Sequence, residues 1–375
     1  MIVCTVNTGS TSVKLAAYRA DPPSGEAGLP PRRLAARHLT GAALDPAEVL
    51  RGFLGELQEP PVAVAHRVVH GGTRFTKPAL IDDAARAAIA QLAELAPLHN
   101  PVAVRWIDAA REVFGADVAH VAAFDTAFFS ALPRVAAEYA LPPELGARLG
   151  VRRYGFHGLA HEAMWQRWCE LEPELTSGGK LITVQLGGGC SMAALECGRP
   201  LDTSMGFSPL EGLVMATRAG DVDAAIVPYL ERQLGVSGEQ VLEILNERSG
   251  LAGVAGDPGD PQSLLDSGTD KARLAVELYC YRARKYLGAY FTVLGGCDGI
   301  AFGGGVGEHV AEVRARILTG LEWAGIALDR AANQAARGSE SRISAAGSQA
   351  RVWVIPVDEE LLMVRAALSV AKLAR

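Results

Sequence analysis

Ile2-Val3-Cys4-Thr5-Val6 runs into Asn7-Thr8-Gly9-Ser10-Thr11-Ser12, and the apolar run 181–186 runs into Gly187-Gly188-Gly189-Cys190-Ser191. A third short apolar run, 300–302, enters Gly303-Gly304-Gly305-Val306-Gly307. A Gly/Ser turn lets backbone N–H groups approach an anion closely, because no Cβ intervenes and positive φ is allowed. Three such turns, with isolated Arg and His motifs between them, point to a site that holds a polyphosphate.

The pattern around these turns sets the expected fold. Residues 2–6 and 13–18 read as strands joined by the first turn, and 180–186 and 192–196 repeat that layout around the second. Two related halves are therefore expected, each opening with a hairpin. Residues 62–65, 118–124 and 352–355 read as buried strands. Helical periodicity follows at 82–95, 101–114, 158–171, 221–234, 237–247, 270–294, 308–323 and 358–373. Mixed elements predict an α/β architecture. The Pro- and Gly-rich stretch 21–32 reads as a surface loop. The stretch 257–262, Asp-Pro-Gly-Asp-Pro-Gln, reads as a loop because it cannot be a helix interior.

A chain of 375 residues favours two domains over one. Its 49% hydrophobic and 21% charged content describes a globular protein. A net charge of −6 gives no general reason to expect nucleic-acid or membrane partners, so any anion site must be local. No apolar run is long enough to cross a bilayer. The chain enters a strand at Ile2, so no signal peptide is expected. The six cysteines are scattered without a Cys-x-x-Cys pair, which suggests neither a zinc site nor a disulfide framework. A reduced, cytoplasmic location fits these features.

Several motifs can carry chemistry. His66-Arg67-Val68-Val69-His70-Gly71-Gly72 places Arg67 at a strand end, either as a clamp for a carboxylate or phosphate or as a surface ion pair. Pro97-Leu98-His99-Asn100-Pro101 makes a rigid turn. There His99 either polarises an oxyanion or stands beside a helix-capping Asn100. Asp125 ends an apolar strand and can hold Mg²⁺, orient an arginine or cap the next helix. His157, between Phe156 and Gly158, suits contact with phosphate oxygens or simple packing. Arg218 is a second candidate clamp. Two arginines, a histidine and several backbone turns are what phosphoryl transfer requires. The acids Asp358, Glu359 and Glu360 open the last helix and offset its dipole. Cys190 is discounted as a nucleophile, since no His-bearing motif is tied to it.

Together and in this order, the motifs at 66–72, 97–101, 124–128, 152–158 and 202–221 resemble those of the acetate kinases, nearly the whole chain being covered. That family belongs to the actin, sugar-kinase and heat-shock ATPase superfamily. The resemblance implies two ribonuclease-H-like (actin-like ATPase) domains with an active-site cleft between them. They are expected at 1–128 plus 361–375, the acid-binding and Mg²⁺ side, and at 129–360, the nucleotide side. It implies reversible phosphoryl transfer from ATP to acetate, giving acetyl phosphate and ADP, with Mg²⁺ (or Mn²⁺). By motif match, Arg67 and Arg218 would bind the carboxylate and the moving phosphoryl group. His157 would stabilise the transition state with His99 nearby, and Asp125 would serve near the metal or orient Arg67. Asn7 and Glu359 would serve the metal–phosphate end. Ser10, Ser12 and Lys14 would shape the first turn. Val69, Leu98, Phe156 and Pro209 match a small pocket for the acid's methyl group, which favours acetate with propionate as a close second. Gly187, Gly188, Gly189, Asp260, Gly303, Gly304, Gly305, Gly307 and His309 would line the nucleotide side. A homodimer is the family expectation.

The sequence departs from the family on the donor side. The second turn is usually His-Leu-Gly-Asn-Gly and is here Gln185-Leu186-Gly187-Gly188-Gly189. A usual Asp-aromatic/Met-Arg is here Asp260-Pro261-Gln262, and a usual Gly-Glu-Asn is Gly307-Glu308-His309. These changes open two alternatives: the same chemistry with another donor such as pyrophosphate, and a catalytically weak nucleotide- or acyl-phosphate-binding protein.

Overall fold

The computed structural model describes residues 1–9, 12–20, 30–41, 44–115, 117–256 and 259–373. Ser10 and most of the 21–32 stretch lie outside these. The chain folds into two compact units, Met1–Ser130 with Asp358–Arg375, and Ala131–Val357.

The first unit is built on β1 (Ile2–Thr8), β2 (Ser12–Arg19), β3 (Arg32–Thr40), β4 (Ala63–Val68), β5 (Ala79–Leu80) and β6 (Ala119–Phe124), in the order β3-β2-β1-β4-β6-β5. β1, β2 and β3 form an antiparallel meander, while β1, β4 and β6 run parallel. Side chains alternate across a strand. Ile2, Cys4, Val6 and Val64 therefore share one face, where they pack with Leu50 and Phe53 of the helix Pro46–Leu54 and Trp106 of the helix Asn100–Phe114. Asn7 and Arg67 fall on the opposite face, against which the helix Glu359–Leu373 packs.

The second unit repeats this plan. Its strands are β7 (Lys180–Leu186), β8 (Cys190–Glu196), β9 (Arg199–Thr203), β10 (Gly299–Gly303), β11 (Ser341–Arg342) and β12 (Arg351–Val354), in the order β11-β12-β10-β7-β8-β9. Again an antiparallel meander, β7-β8-β9, shares its first strand with a parallel run, β7, β10 and β12, and the short β11 lies antiparallel to β12. The helices Gly158–Leu171 and Asp270–Leu294 pack on this sheet. Two mixed six-stranded sheets of one topology give the expected α/β class and two ribonuclease-H-like units.

Some expectations are corrected. The pattern 221–234 becomes helical only at Ile226, because the Asp221 carboxylate is tied to Gly212 N–H, Arg282 and Tyr286. The pattern 308–323 is divided into the helices Gly304–His309 and Ala311–Leu318 and the 3₁₀ turn Glu322–Ala324, Val310 leaving helical geometry at φ −103, ψ 85. Pro261 and Gln262 belong not to a loop but to the first turn of the helix Pro261–Ser267. Proline is tolerated there because it lacks only an N–H the helix would leave unpaired.

Candidate active site

In the first unit, β4 and β6 are parallel neighbours with Val68 opposite Phe124. Their carboxyl ends therefore bring Arg67 and Asp125 together. Arg67 Nε donates to Asp125 Oδ1 at 3.1 Å and Nη2 to Oδ2 at 2.7 Å, a two-pronged fork. Asp125 is 0% exposed and the Arg67 side chain 13%. Burial opposes the Arg67 charge, but the Asp125, Glu359 and Glu360 carboxylates outweigh it and its pKa is raised. Arg67 Nη1 also donates to Asn7 Oδ1 at 3.3 Å. Asn7 Nδ2 in turn donates to Glu359 Oε2 at 2.7 Å and Glu360 Oε1 at 2.9 Å. Lys14 pairs with Asn7 across the hairpin, so the two share a face. Ser12 O accepts from Gly9 N–H at 2.7 Å and closes the first turn.

Val69 is buried beyond the end of β4, and Leu98 is 55% exposed. His99 precedes the helix Asn100–Phe114 as its cap residue. Asn100 does not cap that helix. It lies inside the first turn, fully buried, where Oδ1 accepts from His70 N–H at 3.2 Å and Nδ2 donates to His70 O at 3.0 Å. This ties the 66–72 segment to the helix start.

In the second unit, His157 has φ 57 and precedes the helix Gly158–Leu171. Its Nδ1 lies 2.9 Å from Ser191 Oγ, which is 2.8 Å from His161 Nε2. His161 Nδ1 is 2.7 Å from Thr183 Oγ1, which makes a long 3.5 Å bond to Ala193 O. His161 is neutral, its pKa held well below the usual value by burial and then by His157. The three short contacts can be satisfied in either direction. In one, His161 Nδ1 donates to Thr183, Ser191 to His161 Nε2, and His157 Nδ1 to Ser191; in the other, Thr183 donates to His161 Nδ1, His161 Nε2 to Ser191, and Ser191 to His157 Nδ1. Either way Ser191 Oγ holds His157 Nδ1 and so sets the orientation of the ring.

Arg218 stands beside this relay. A Cβ placed on Gly189 would lie 3.2 Å from His157 Cε1 and 3.4 Å from Arg218 Nη1, so the second turn, His157 and Arg218 share one locality. Arg218 Nη1 donates to Pro209 O at 3.2 Å. Among the described residues no carboxylate forms an ion pair with it, and burial lowers its pKa. A half-buried guanidinium without a counter-charge is a ready anion site. Phe156 is buried and Pro209 half-buried in this unit. Cys190 is inert: burial pushes its thiol up to about 11.

The second and third turns lie on adjacent parallel strands, with Gly303 opposite Gln185. A Cβ on Gly304 (φ +76) would meet Leu186 O at 2.5 Å and Gln185 Nε2 at 2.7 Å, so only glycine fits. Gly304 N–H donates to Glu308 Oε1 at 3.0 Å. Beside these turns opens a cavity of about 520 Å³, lined by Gly187, Gly188, Gly305 and His309 together with Asp260 and Gln262. Gly307 is buried and does not line this cavity. Asp260 also caps its helix through Ser263 N–H at 2.8 Å.

A family profile described as the acetokinase family matches residues 47–365. The chain belongs to the acetokinase family. It is 46% identical over 307 residues, 81% of this chain and 74% of the relative, to the acetate kinase of Solibacter usitatus (strain Ellin6076). It is 41% identical to the acetate kinase of Clavibacter michiganensis subsp. michiganensis (strain NCPPB 382), with 98% of both chains covered. Among solved structures, Porphyromonas gingivalis acetate kinase superposes with a TM-score of 0.87 at 33% identity, covering 99% of each chain. A propionate kinase from Francisella tularensis subsp. tularensis SCHU S4 gives 0.87 at 33%, covering 98% and 99%. These acetokinase-family relatives lend no support to a pyrophosphate donor or to a catalytically weak binding protein.

Sequence reasoning missed Ser191 and His161, which hold His157, and Glu360, which shares Asn7 with Glu359. Ser191 lies two residues beyond Gly189, and His161 one helical turn after His157. That spacing was the available signal.

Proposed function

We propose that this chain is an acetate kinase, catalysing reversible phosphoryl transfer between ATP and acetate to give acetyl phosphate and ADP. The observation that carries the reading is Arg218, a half-buried cation without a carboxylate partner, beside His157 and the glycine turn at Gly189. Acetate, already ionised, attacks the γ-phosphorus in line. The new O–P bond forms as the bond to the β-phosphate bridging oxygen breaks, and no protein group need take a proton. Catalysis then rests on positioning and charge. Arg218 and His157 stabilise the equatorial oxygens, with His99 assisting, while Arg67, oriented by Asp125, binds the carboxylate. Val69 and Leu98 of the first unit, and Phe156 and Pro209 of the second, are the residues assigned to the acid's methyl group. One further methylene changes binding by only about 1–3 kcal/mol, so propionate is a second substrate.

Asn7, Glu359 and Glu360 offer hard oxygen ligands of the kind Mg²⁺ takes alongside substrate phosphates, and Mn²⁺ would fit the same donors. When bound, the ion would neutralise phosphate charge. Lys14, Ser12 and the glycine turns at 187–189 and 303–307 serve the phosphates, with Asp260 and His309 at the nucleotide. On this reading the first unit is the acid and metal side and the second the nucleotide side.

We also propose a cytoplasmic homodimer. No described helix is long and apolar enough to cross a membrane. Leu274, Leu278 and Tyr281 form an exposed apolar stripe on the helix Asp270–Leu294, which supports pairing with a second copy. The catalytic reading is tested by trapping acetyl phosphate with hydroxylamine. Colour that requires acetate, ATP and Mg²⁺ together supports it, and ATP loss without hydroxamate refutes it.

A further inference from the structure

Arg337 was not singled out by any motif, yet it lines the same cavity as Gly187, Gly188, Gly305, Asp260 and His309. Among the described residues, no hydrogen bond or ion pair engages its side chain. The segment that carries it is nevertheless firmly held. Arg314, fully buried, donates to Gly307 O at 2.8 Å and Glu308 O at 3.1 Å on the third turn. The same guanidinium donates to Asn333 Oδ1 at 2.8 Å, Asn333 O at 2.7 Å and Ala336 O at 2.7 Å. Immediately after Arg337, Gly338 N–H donates to Glu308 O at 3.0 Å. The His309 ring packs so closely on Gly338 that a Cβ there would lie 2.2 Å from Cε1. The backbone on both sides of Arg337 is thus fastened to the third glycine turn, while the side chain borders the cavity.

We propose that Arg337 is a nucleotide-binding residue, supplying the cavity's guanidinium to a nucleoside di- or triphosphate. The assignment rests on the reading that this unit handles the nucleotide. Chemistry and placement agree. A planar fork bonds phosphate oxygens in pairs or stacks on a purine face, and backbone N–H groups of the neighbouring turns offer no full positive charge of their own. Arg314 acts through the backbone and is a positioning residue.

The test is calorimetric titration of the full chain with ADP and, separately, adenosine, using wild type, Arg337→Gln and Arg337→Lys. Initial rates with ATP and acetate accompany it. Arg337 is exposed, so its replacement leaves the fold intact, which a thermal melt checks. Arg337→Gln is expected to weaken ADP binding about tenfold, with Lys intermediate. KM for ATP rises to match, while KM for acetate stays within about twofold. Weakened ADP with unchanged adenosine assigns the phosphates; weakening of both assigns the nucleoside. Either supports the proposal. Unchanged ADP binding in Arg337→Gln overturns it, as does a wild type that binds no ADP. If wild type binds ADP and the variant binds it less tightly, but neither turns over acetate, Arg337 keeps its role and the acetate reading falls.

Discussion

Ser191 Oγ lies 2.9 Å from His157 Nδ1 and 2.8 Å from His161 Nε2, so one hydroxyl bridges the histidine beside Arg218 to a second, buried histidine. The relay ends in the fully buried His161, whose charged form is disfavoured by burial and then by His157. Ser191→Ala removes the hydrogen-bond partner of His157 Nδ1. The expected result is kcat about tenfold lower with KM for ATP little changed. Ser191→Thr retains the hydroxyl and restores part of the rate. A kcat identical to wild type in Ser191→Ala would detach the relay from catalysis.

Gly189 tests the same locality from the other side. Gly189→Ala places a methyl 3.2 Å from His157 Cε1, tight enough that the ring must give by a few tenths of an ångström, and in ordinary contact with Arg218 Nη1 at 3.4 Å. Activity is expected to fall by about tenfold, since small misplacements of catalytic groups are costly. The melting temperature should move little, because the neighbours are side-chain ends rather than backbone.

Arg67 and Arg218 differ in what surrounds them, and their variants should differ accordingly. Arg218→Ala leaves no buried carboxylate behind. It should lower kcat by about 10²–10³ with stability nearly unchanged, in keeping with loss of a transition-state donor. Arg67→Ala abandons the fully buried Asp125 and should also destabilise the first unit by about 3–5 kcal/mol. Rates and urea midpoints measured on both proteins separate the two effects.

Stability should fall in mild acid. Burial lowers the pKa of His70 and His120 to about 4, and burial and then His120 hold His66 well below its usual value. Each folded-state value lies below the unfolded one. The unfolded chain therefore binds more protons between about pH 6.5 and 4, and stability present above pH 6.5 is lost as pH falls. Each such group contributes a slope approaching about 1.4 kcal/mol per pH unit inside that window. Urea midpoints at pH 7.5, 6 and 5 check the trend, and His120→Gln should flatten it. His66 Nε2 lies 3.0 Å from His120 Nδ1, so the pair titrates as a unit.

Much of this architecture was legible from local pattern. The hairpins around Gly9 and Gly188 were readable because apolar runs break at glycine, and their repetition announced two like halves. β3 was not legible, since its half-exposed, arginine-rich face shows no clean alternation. Pro261 looked like a helix breaker because sequence alone does not reveal that Asp260 caps the turn before it. At the site, Arg67, Asp125, His157 and Arg218 stood out by residue type and position. Ser191, His161, Arg314 and Arg337 did not, because their roles come from contacts between segments distant in sequence. Asn100 looked like a cap until its bond to the His70 backbone was seen.

The most direct test of the central claim is ³¹P NMR of the protein with ATP, Mg²⁺ and acetate, run beside Arg218→Ala. The account predicts acetyl phosphate and ADP growing together in equal amounts with wild type, and a rate reduced by about 10²–10³ in the variant. Inorganic phosphate without acetyl phosphate, or equal rates in the two proteins, would contradict it.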